Sequence, residues 1–157
     1  DVEFKVMDMR KLDIGERFDA VISMWVSFGY FNDEENHNII KAISKSLKKD
    51  GFLFLDLENR DYILKYFIYE KWREKDGYFI LERNKFDPLR STIKTKRIIL
   101  KEGFRREYER SVRFYTASEI RIILKDASLK VEEIIGDYDR RPYSLESPRM
   151  IVIGKKV

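Results

Sequence analysis

The densest group of side chains that could bind a ligand lies in residues 18–31, which have the sequence FDAVISMWVSFGYF. Ala20 to Val26 is an almost unbroken apolar run, which is typical of a strand buried on both faces of a parallel sheet. After it, Ser27 and Gly29 introduce small groups among four aromatic rings. Open α/β sheets bind their ligands at the carboxyl ends of such strands. We therefore predict a central strand followed by an aromatic ligand-binding loop, although rings of this kind also pack in protein cores.

A second set of polar groups follows the apolar run Phe52 to Leu57, which predicts another buried strand. Between the two runs, Asn32 and Glu35 have the spacing of a capping box, and the apolar residues after them recur with a helical period. Two parallel strands joined by a helix form a right-handed unit, so the carboxyl ends of both strands face one crevice. Asn59 is also compatible with simple capping of a following helix. The polar groups predicted at this crevice are Asp56, Glu58, Asn59 and Arg60.

Composition sets broad limits on the fold and on the chemistry. With 157 residues, of which 43% are hydrophobic and 38% charged, the chain is expected to form one domain with a substantial core. It has no cysteine, which excludes thiolate nucleophiles and disulfides, and its single histidine argues against a zinc or copper site, so we predict no metal. The sequence has no long apolar run and no signal-peptide pattern, which predicts a cytoplasmic protein without a membrane partner. Its abundance of charged residues is compatible with a thermophilic source.

The segment of about 78–115 alternates charged with aromatic or apolar residues and contains turn residues at 87–90 and 101–103, which predicts a three-stranded antiparallel meander. Its many arginine and lysine side chains are compatible with a nucleic-acid surface, because interleaved cations and aromatic rings bind phosphates and bases. Alternation of charge is equally typical of any exposed antiparallel strand, and glutamates dilute it. The net charge of +4, from 32 basic and 28 acidic residues, likewise does not favour a nucleic-acid partner.

The C-terminal part of the sequence predicts a helix and two strands. Thr116 and Glu119 repeat the capping-box spacing before an apolar helical stripe. The strands predicted over 129–135 and 149–153 are joined by a segment without a helical pattern, so we expect them to pair antiparallel at the edge of the sheet. That joining segment contains Arg141, and an anionic acceptor molecule would pair well with an arginine there.

Taken together, these segments resemble the class I S-adenosylmethionine-dependent methyltransferases, in the small-molecule type with a β insertion. The similarity is carried by the sequences VEFKVMDMRKL, FDAVISMWVSFGYF, LKKDGFLFLDLENRDY and DYDRRPYSLESPRMIVIGKK, and it covers nearly the whole chain. It corresponds to the C-terminal two-thirds of the family fold. The resemblance implies that residues 1–157 form one α/β domain with a Rossmann-like, mostly parallel sheet, a C-terminal antiparallel hairpin and an inserted antiparallel meander, without the N-terminal strands of the family.

The resemblance also implies S-adenosylmethionine as the cofactor and a small molecule as the acceptor. Asp8, which follows a predicted strand at Val2 to Met7, would accept a hydrogen bond from the exocyclic amine of the adenine, and the backbone of Met9 would hold the ring edge. The end of the strand after Ala20 would lie along the methionine part of the cofactor. The implied cofactor-binding residues are Asp8, Met9, Ser23, Met24 and Trp25, and the implied substrate-binding residues are Phe28, Tyr30, Asn59, Arg60, Arg141 and Tyr143.

Methyl transfer from a sulfonium is an in-line displacement with a neutral leaving group, so alignment and desolvation supply most of the catalysis and we assign no catalytic residue. The Gly-rich cofactor loop of the family would precede Asp1, and none of the seven glycines here forms a GxGxxG pattern. Two other functions therefore stay open, an RNA- or protein-binding module and a non-catalytic scaffold. The missing strands would lie between those at Val2 and Ala20, which predicts unpaired edges and a homodimer formed through them.

Overall fold

The computed structural model of the protein describes residues 2–14 and 18–157. A short 3₁₀-helix, Met9–Lys11, precedes the first strand. The described residues form the strands β1 Phe18–Ser23, β2 Leu47–Glu58, β3 Glu70–Lys75, β4 Tyr78–Asp87, β5 Thr92–Lys101, β6 Phe104–Arg113, β7 Leu129–Ile135 and β8 Arg149–Lys156. They also form the α-helices α1 Asp33–Ser46, α2 Arg60–Lys65 and α3 Ala117–Asp126.

The first sheet has the strand order β1-β2-β8-β7. β1 and β2 are parallel and are joined through α1, as predicted, whereas β8 runs antiparallel to both β2 and β7. The predicted C-terminal antiparallel pair is therefore confirmed, but the prediction of a mostly parallel sheet is wrong for the described residues. The physical reason is connectivity, because a parallel pair needs a crossover connection and the link between β7 and β8 contains no helix.

β1 is an edge strand, which corrects the prediction of a central strand. It pairs with β2 on one side, and within residues 2–14 and 18–157 no strand pairs with its other side. Ile22 is accordingly 70% exposed. The strand predicted at Val2 to Met7 is also wrong, because these residues are exposed and have no strand partner in the described chain. An apolar run becomes a buried strand only where neighbouring elements cover it, and the run itself does not encode them.

Both predicted capping boxes are confirmed. The side chain of Asn32 accepts a hydrogen bond from the backbone N–H of Glu35 (2.9 Å) at the start of α1, and Thr116 accepts one from Glu119 (3.2 Å) at the start of α3. These caps orient the two helices so that their apolar stripes cover one face of the first sheet. Burial of each such side chain contributes roughly 1.5–3 kcal/mol relative to exposure. The core residues include Ile39, Ile40, Leu53, Leu55, Ile120, Leu124, Met150 and Val152.

The second sheet is antiparallel and has four strands, in the order β3-β4-β5-β6. The predicted three-stranded meander therefore lacked β3, and the sheet begins at Glu70, before the predicted boundary of about 78. β3 escaped prediction because its sequence, EKWREK, is charged on both faces and fully exposed, so it has no apolar period. Two other strands of this sheet, β5 and β6, bury Ile93 and Val112. These side chains pack against Ile63 in α2 and Phe67 just after it.

Candidate functional site

Asp56 lies in β2 near the carboxyl ends of the parallel strands and is fully buried. Its Oδ2 atom accepts hydrogen bonds from the backbone N–H of Trp25 (2.8 Å) and from the hydroxyl of Tyr138 (2.7 Å). Its Oδ1 atom accepts a hydrogen bond from Nη1 of Arg149 (2.6 Å). Such charge-assisted hydrogen bonds are strong, and burial strengthens them further. Asp56 therefore ties together β2, β8, the loop after β1 and the segment that joins β7 to β8.

The loop after β1 turns sharply at Trp25 and Val26, whose φ angles are 56° and 57°. A left-handed backbone costs a non-glycine residue roughly 1–2 kcal/mol, and β-branched residues such as valine rarely adopt it. The hydrogen bond from Trp25 to Asp56 offsets part of this cost. The side chain of Trp25 is 81% exposed. The turn therefore leaves a large aromatic ring outside the core, at the edge of the sheet where a ligand would bind.

Asp56 also affects the protonation of its two side-chain partners. Desolvation and the hydrogen bond to Asp56 raise the pKa of the Tyr138 hydroxyl, which keeps it a hydrogen-bond donor at neutral pH. Desolvation lowers the pKa of Arg149, but the hydrogen bond to Asp56 and the charges of nearby acidic groups together outweigh it, so the net shift of the pKa is upward. The Arg149 guanidinium also lies 4.9 Å from the centre of the Tyr138 ring. Sequence analysis missed the roles of Tyr138 and Arg149, although an aspartate inside an apolar strand signals that buried partners exist.

The far end of the loop is attached to β6. The carbonyl oxygen of Gly29 accepts a hydrogen bond from the backbone N–H of Arg113 (2.7 Å). Gly29 has a φ of 103°, and a Cβ atom there would lie 2.6 Å from the Arg113 carbonyl oxygen, so only glycine fits. Phe28, a predicted substrate contact, is 2% exposed and its ring centre lies 5.6 Å from that of Tyr115. The structure thus places Phe28 in the core, whereas Tyr30 lies on the surface.

Asp8 caps the 3₁₀-helix, because its side chain accepts a hydrogen bond from the backbone N–H of Arg10 (3.0 Å). The carboxylate also accepts from Nη2 of Arg10 (2.7 Å). These side-chain and backbone hydrogen bonds from Arg10 lower the pKa of Asp8 to about 2, so the group is ionised at neutral pH. The side chain of Asp8 remains 34% exposed. An accessible, ionised carboxylate is a suitable acceptor for an amino group of a ligand.

The other predicted cofactor residues lie in the 3₁₀-helix and at the end of β1. Met9 is in the 3₁₀-helix and packs against the main core. Ser23 ends β1, with its Oγ atom 2.9 Å from that of Ser27, and Met24 follows it, partly buried. The 3₁₀-helix contacts the same loop near its other end, where Arg10 lies 4.6 Å from the centre of the Phe31 ring. The two groups of predicted cofactor residues therefore flank one loop.

Asn59 and Tyr143 are in direct contact, since the hydroxyl of Tyr143 donates to Oδ1 of Asn59 (3.0 Å). Asn59 is fully buried and caps α2 by accepting from the backbone N–H of Asp61 (3.0 Å). Its amide group donates to the carbonyl oxygens of Ser144 (2.9 Å) and Ser147 (2.8 Å). The helix-capping role is thus confirmed for Asn59. Together the two side chains fasten the β7–β8 link to the start of α2.

The two predicted arginines bind different partners. Nε of Arg60 donates to the hydroxyl of Ser91 (2.7 Å), which joins the start of α2 to the second sheet. Arg141 is exposed, and its Nε atom donates to the carboxylate of Asp139 (2.9 Å) in the β7–β8 link. The structure therefore gives Arg60 a contact between the two sheets and leaves Arg141 on the surface.

A cleft of about 160 Å³ lies between α2 and the second sheet. It reaches the carboxyl ends of the parallel strands, because Val26 from the loop after β1 and Glu58 from the end of β2 form part of its wall. The remaining wall combines apolar and aromatic residues with polar and charged ones. It consists of Ile63, Tyr66, Phe67, Ile68, Lys71, Asn84, Ile93, Thr95, Arg110, Val112 and Phe114. A small molecule in this cleft would lie beside the turn that exposes Trp25.

Solved protein structures match this fold, although no family model and no curated protein matches the chain. The CcbJ methyltransferase from Streptomyces caelestis matches with a TM-score of 0.86 and 21% identity, over 97% of this chain and 62% of that one. An S-adenosylmethionine-dependent methyltransferase from Clostridium acetobutylicum matches with a TM-score of 0.87 and 19% identity, over 97% and 63%. The chain has the fold of S-adenosylmethionine-dependent methyltransferases.

Similarity to this methyltransferase fold extends to structures with bound cofactor. An amino pentose methyltransferase from Micromonospora echinaspora, with S-adenosylmethionine bound, matches with a TM-score of 0.66 and 16% identity, over 96% of this chain and 63% of that one. The chain thus spans less than two thirds of the length of these methyltransferases. In residues 2–14 and 18–157, no helix has the length and apolarity to cross a membrane. The same residues contain no cluster of three or more potential metal ligands among His, Cys, Asp and Glu.

Proposed function

We propose that the protein takes part in S-adenosylmethionine-dependent methyl transfer to a small-molecule acceptor. The observation that carries the proposal is the position of the cleft, which borders the Trp25 turn at the carboxyl ends of β1 and β2 in a methyltransferase fold. This is the edge at which open α/β sheets bind ligands. Among the matching structures, one is described as an amino pentose methyltransferase, which supports a small molecule as the acceptor.

The described residues fit one side of the cofactor. Asp8 has an accessible, ionised carboxylate for the adenine amine, and the backbone of Met9 would hold the ring edge. Ser23, Met24 and Trp25 would lie along the methionine part, where the exposed indole suits a sulfonium because aromatic rings attract cations. When bound, S-adenosylmethionine supplies a methyl group on a sulfonium, and its displacement leaves a neutral thioether.

The work of the chain's own residues is to orient the acceptor and to exclude water. Asp56 holds the Trp25 turn in place through a hydrogen bond, and the apolar residues of the cleft would exclude water from the part of the acceptor that they contact. Alignment of two reactants in a dry site supplies much of the rate enhancement of such displacements.

Replacement of Asp8 by alanine in the full-length protein that contains these residues is expected to weaken S-adenosylmethionine binding about tenfold or more, because an adenine amine would lose a charged partner. Isothermal titration calorimetry measures the change. Asp139→Ala is the matched control, since Asp139 also accepts from the backbone and side chain of an arginine two residues later. Equal affinities for the Asp8 and Asp139 variants would contradict the adenine role of Asp8.

Replacement of Arg141 by alanine is expected to raise the Michaelis constant for the acceptor several-fold, and that for the cofactor much less, because the exposed guanidinium would attract an anionic acceptor toward this edge of the sheet. Arg140→Ala is a control in the same link, where Arg140 pairs with Glu133. Steady-state kinetics with each substrate varied in turn separates the two constants. Equal increases in both constants would indicate a structural role for Arg141.

A nucleic-acid surface on the second sheet has less support, because several of its basic side chains are paired with acids. Arg83 bonds to Glu70 (2.6 Å), and Lys71 bonds to Glu82 (2.8 Å). Paired charges release fewer counterions on binding a phosphate backbone, so they add little affinity for nucleic acid. The calorimetry described above also distinguishes a methyltransferase from a non-catalytic scaffold. A methyltransferase must bind S-adenosylmethionine, whereas a scaffold has no such requirement.

A further inference from the structure

Two charged side chains in the cleft wall have no partner in the part of the chain that the structure describes. The other polar groups there are satisfied, since Lys71 pairs with Glu82 (2.8 Å) and Thr95 donates to Asn84 (2.8 Å). Glu58 and Arg110 form no hydrogen bond or ion pair through their side chains with the residues described. Glu58 is half-buried and Arg110 is exposed, so both charged groups are accessible to a ligand that enters from solvent. The cleft therefore presents one free carboxylate and one free guanidinium to a ligand.

The two charges belong to different walls of the cleft. Glu58 ends β2, three residues after Leu55, and Leu55 is the register partner of Ser23 at the end of β1. Glu58 therefore belongs to the wall at the ends of the parallel strands β1 and β2. This wall continues into the Trp25 turn. Arg110 lies on β6 of the second sheet, opposite Thr95.

Apolar residues accompany Arg110 on its face of the second sheet. Ile93 and Val112 are register partners, and each lies two residues from a member of the Thr95–Arg110 pair. Side chains two residues apart on a strand share a face, so the apolar pair adjoins Arg110 within the cleft. A fitting ligand would thus carry a cationic group, an apolar body and an anionic group.

We propose, on the basis of the function proposed above, that the acceptor is a small molecule with both an amine and an anionic group. Glu58 receives the amine at the wall of the parallel strands, and Arg110 receives the anion on the opposite wall. Because the Trp25 turn that would border the sulfonium adjoins the wall of Glu58, the amine nitrogen is the atom that is methylated. Charge-assisted hydrogen bonds at both ends fix the orientation of the molecule.

The step balances with the cofactor as the only co-reactant. The bound ammonium first gives a proton to the carboxylate of Glu58, which leaves a neutral amine. The lone pair of this amine forms a bond to the methyl carbon, while the bond from that carbon to sulfur breaks and its electron pair stays on sulfur. The sulfonium becomes a neutral thioether, the methylated nitrogen leaves as an ammonium, and Glu58 returns its proton to water.

The test uses the full-length protein and three probes that share an apolar ring, namely para-(aminomethyl)benzoate, benzylamine and benzoate. We expect para-(aminomethyl)benzoate to bind about tenfold more tightly than either single-charge probe, as measured by calorimetry or ligand-observed NMR. In the Glu58→Gln variant we expect para-(aminomethyl)benzoate to bind no more tightly than benzoate, while the affinity for benzoate itself stays unchanged. In the Arg110→Gln variant we expect para-(aminomethyl)benzoate to bind no more tightly than benzylamine, while the affinity for benzylamine itself stays unchanged.

This reciprocal pattern separates ligand contacts from structural damage, which would weaken all three probes together. Glu107→Gln, on the same sheet and paired with Lys96, is the control for loss of an acidic side chain outside the cleft. Equal binding of the three probes, no binding of any, or parallel losses in both variants would overturn the proposal. Calorimetry with S-adenosylmethionine alone measures cofactor binding, on which the proposed methyl transfer depends. The probe series does not require the cofactor, so failure of the proposed function and failure of this proposal give different results.

Discussion

Replacing Asp56 by alanine is expected to lower the free energy of unfolding by about 3 kcal/mol, because a largely buried arginine then keeps only one carboxylate, that of Asp137, at the longer distance of 4.0 Å. Arg149 donates to Oδ1 of Asp56 (2.6 Å), and its side chain is only 27% exposed. The same change leaves the backbone N–H of Trp25 and the hydroxyl of Tyr138 without their acceptor. Each unsatisfied group that stays buried adds a further cost of about 1 kcal/mol or more.

Urea unfolding followed by circular dichroism measures this loss, and two milder variants divide it. Tyr138→Phe removes one hydrogen bond and is expected to cost about 1 kcal/mol. Asp56→Asn keeps an acceptor for Trp25 and Tyr138 but loses the charge that Arg149 needs, so its cost should lie between the other two. The control is Asp19→Ala in β1, where the lost partner is an exposed lysine, Lys48, and little change is expected. Equal losses for Asp56→Ala and Asp19→Ala would contradict the stabilising role of Asp56.

The same variants test whether Asp56 fixes the loop after β1. The chain has two tryptophans, so a Trp72→Phe background leaves Trp25 as the only indole emitter. In that background we expect Asp56→Asn to leave the emission maximum and anisotropy of Trp25 nearly unchanged. Asp56→Ala is expected to lower the anisotropy, since the left-handed turn loses the hydrogen bond that holds it.

Local signals explain which parts of the fold could be predicted from the sequence. The caps of α1 and α3 depend on residues three positions apart, so their side-chain types were sufficient. The position of β1 in its sheet depends on which strands lie beside it, and its own apolar run contains no such information. β3 was missed for the opposite reason, because every residue in it is exposed and no apolar period marks it.

The candidate site depends even more on distant partners. The Tyr138 and Arg149 side chains that bind Asp56 are 82 and 93 positions away from it in the sequence. Periodicity cannot detect such pairs, although the buried aspartate showed that partners were needed. Within the aromatic loop, the turn at Trp25 and the contact of Phe28 with Tyr115 decide which ring is exposed and which is buried. Residue types alone predicted both as ligand contacts.

The second large effect is expected in solution, where the 157-residue chain by itself should self-associate through β1. Within the described residues the outer edge of β1 has no partner, and Ile22 there is 70% exposed. Unpaired backbone donors beside apolar side chains favour pairing with another copy of the same strand. The same chain is expected to bind S-adenosylmethionine weakly, since its described residues include no Gly-rich turn between a strand and a helix.

β3, an edge strand of the second sheet, is poorly suited to such pairing. When two copies of a strand pair around a two-fold axis, residues directly opposite each other belong to the same face of the sheet. One face of β3 carries Glu70 and Glu74, and the other carries Lys71, Arg73 and Lys75. Two-fold pairing of β3 therefore brings like charges close together on both faces, which is destabilising. β1 has a single charged residue, Asp19, so it lacks this protection.

Replacing Ile22 by lysine should therefore convert the associated chain to a monomer, because a charge on an edge strand opposes pairing with a second copy. Multi-angle light scattering after size-exclusion chromatography gives the mass of each variant over a range of concentrations. Ile122→Lys is the matched control, because Ile122 is 59% exposed on α3, outside β1, and its variant should associate as the parent chain does. A monomeric parent chain that also binds S-adenosylmethionine tightly would contradict both expectations. Association that persists in Ile22→Lys would place the contact elsewhere on the molecule.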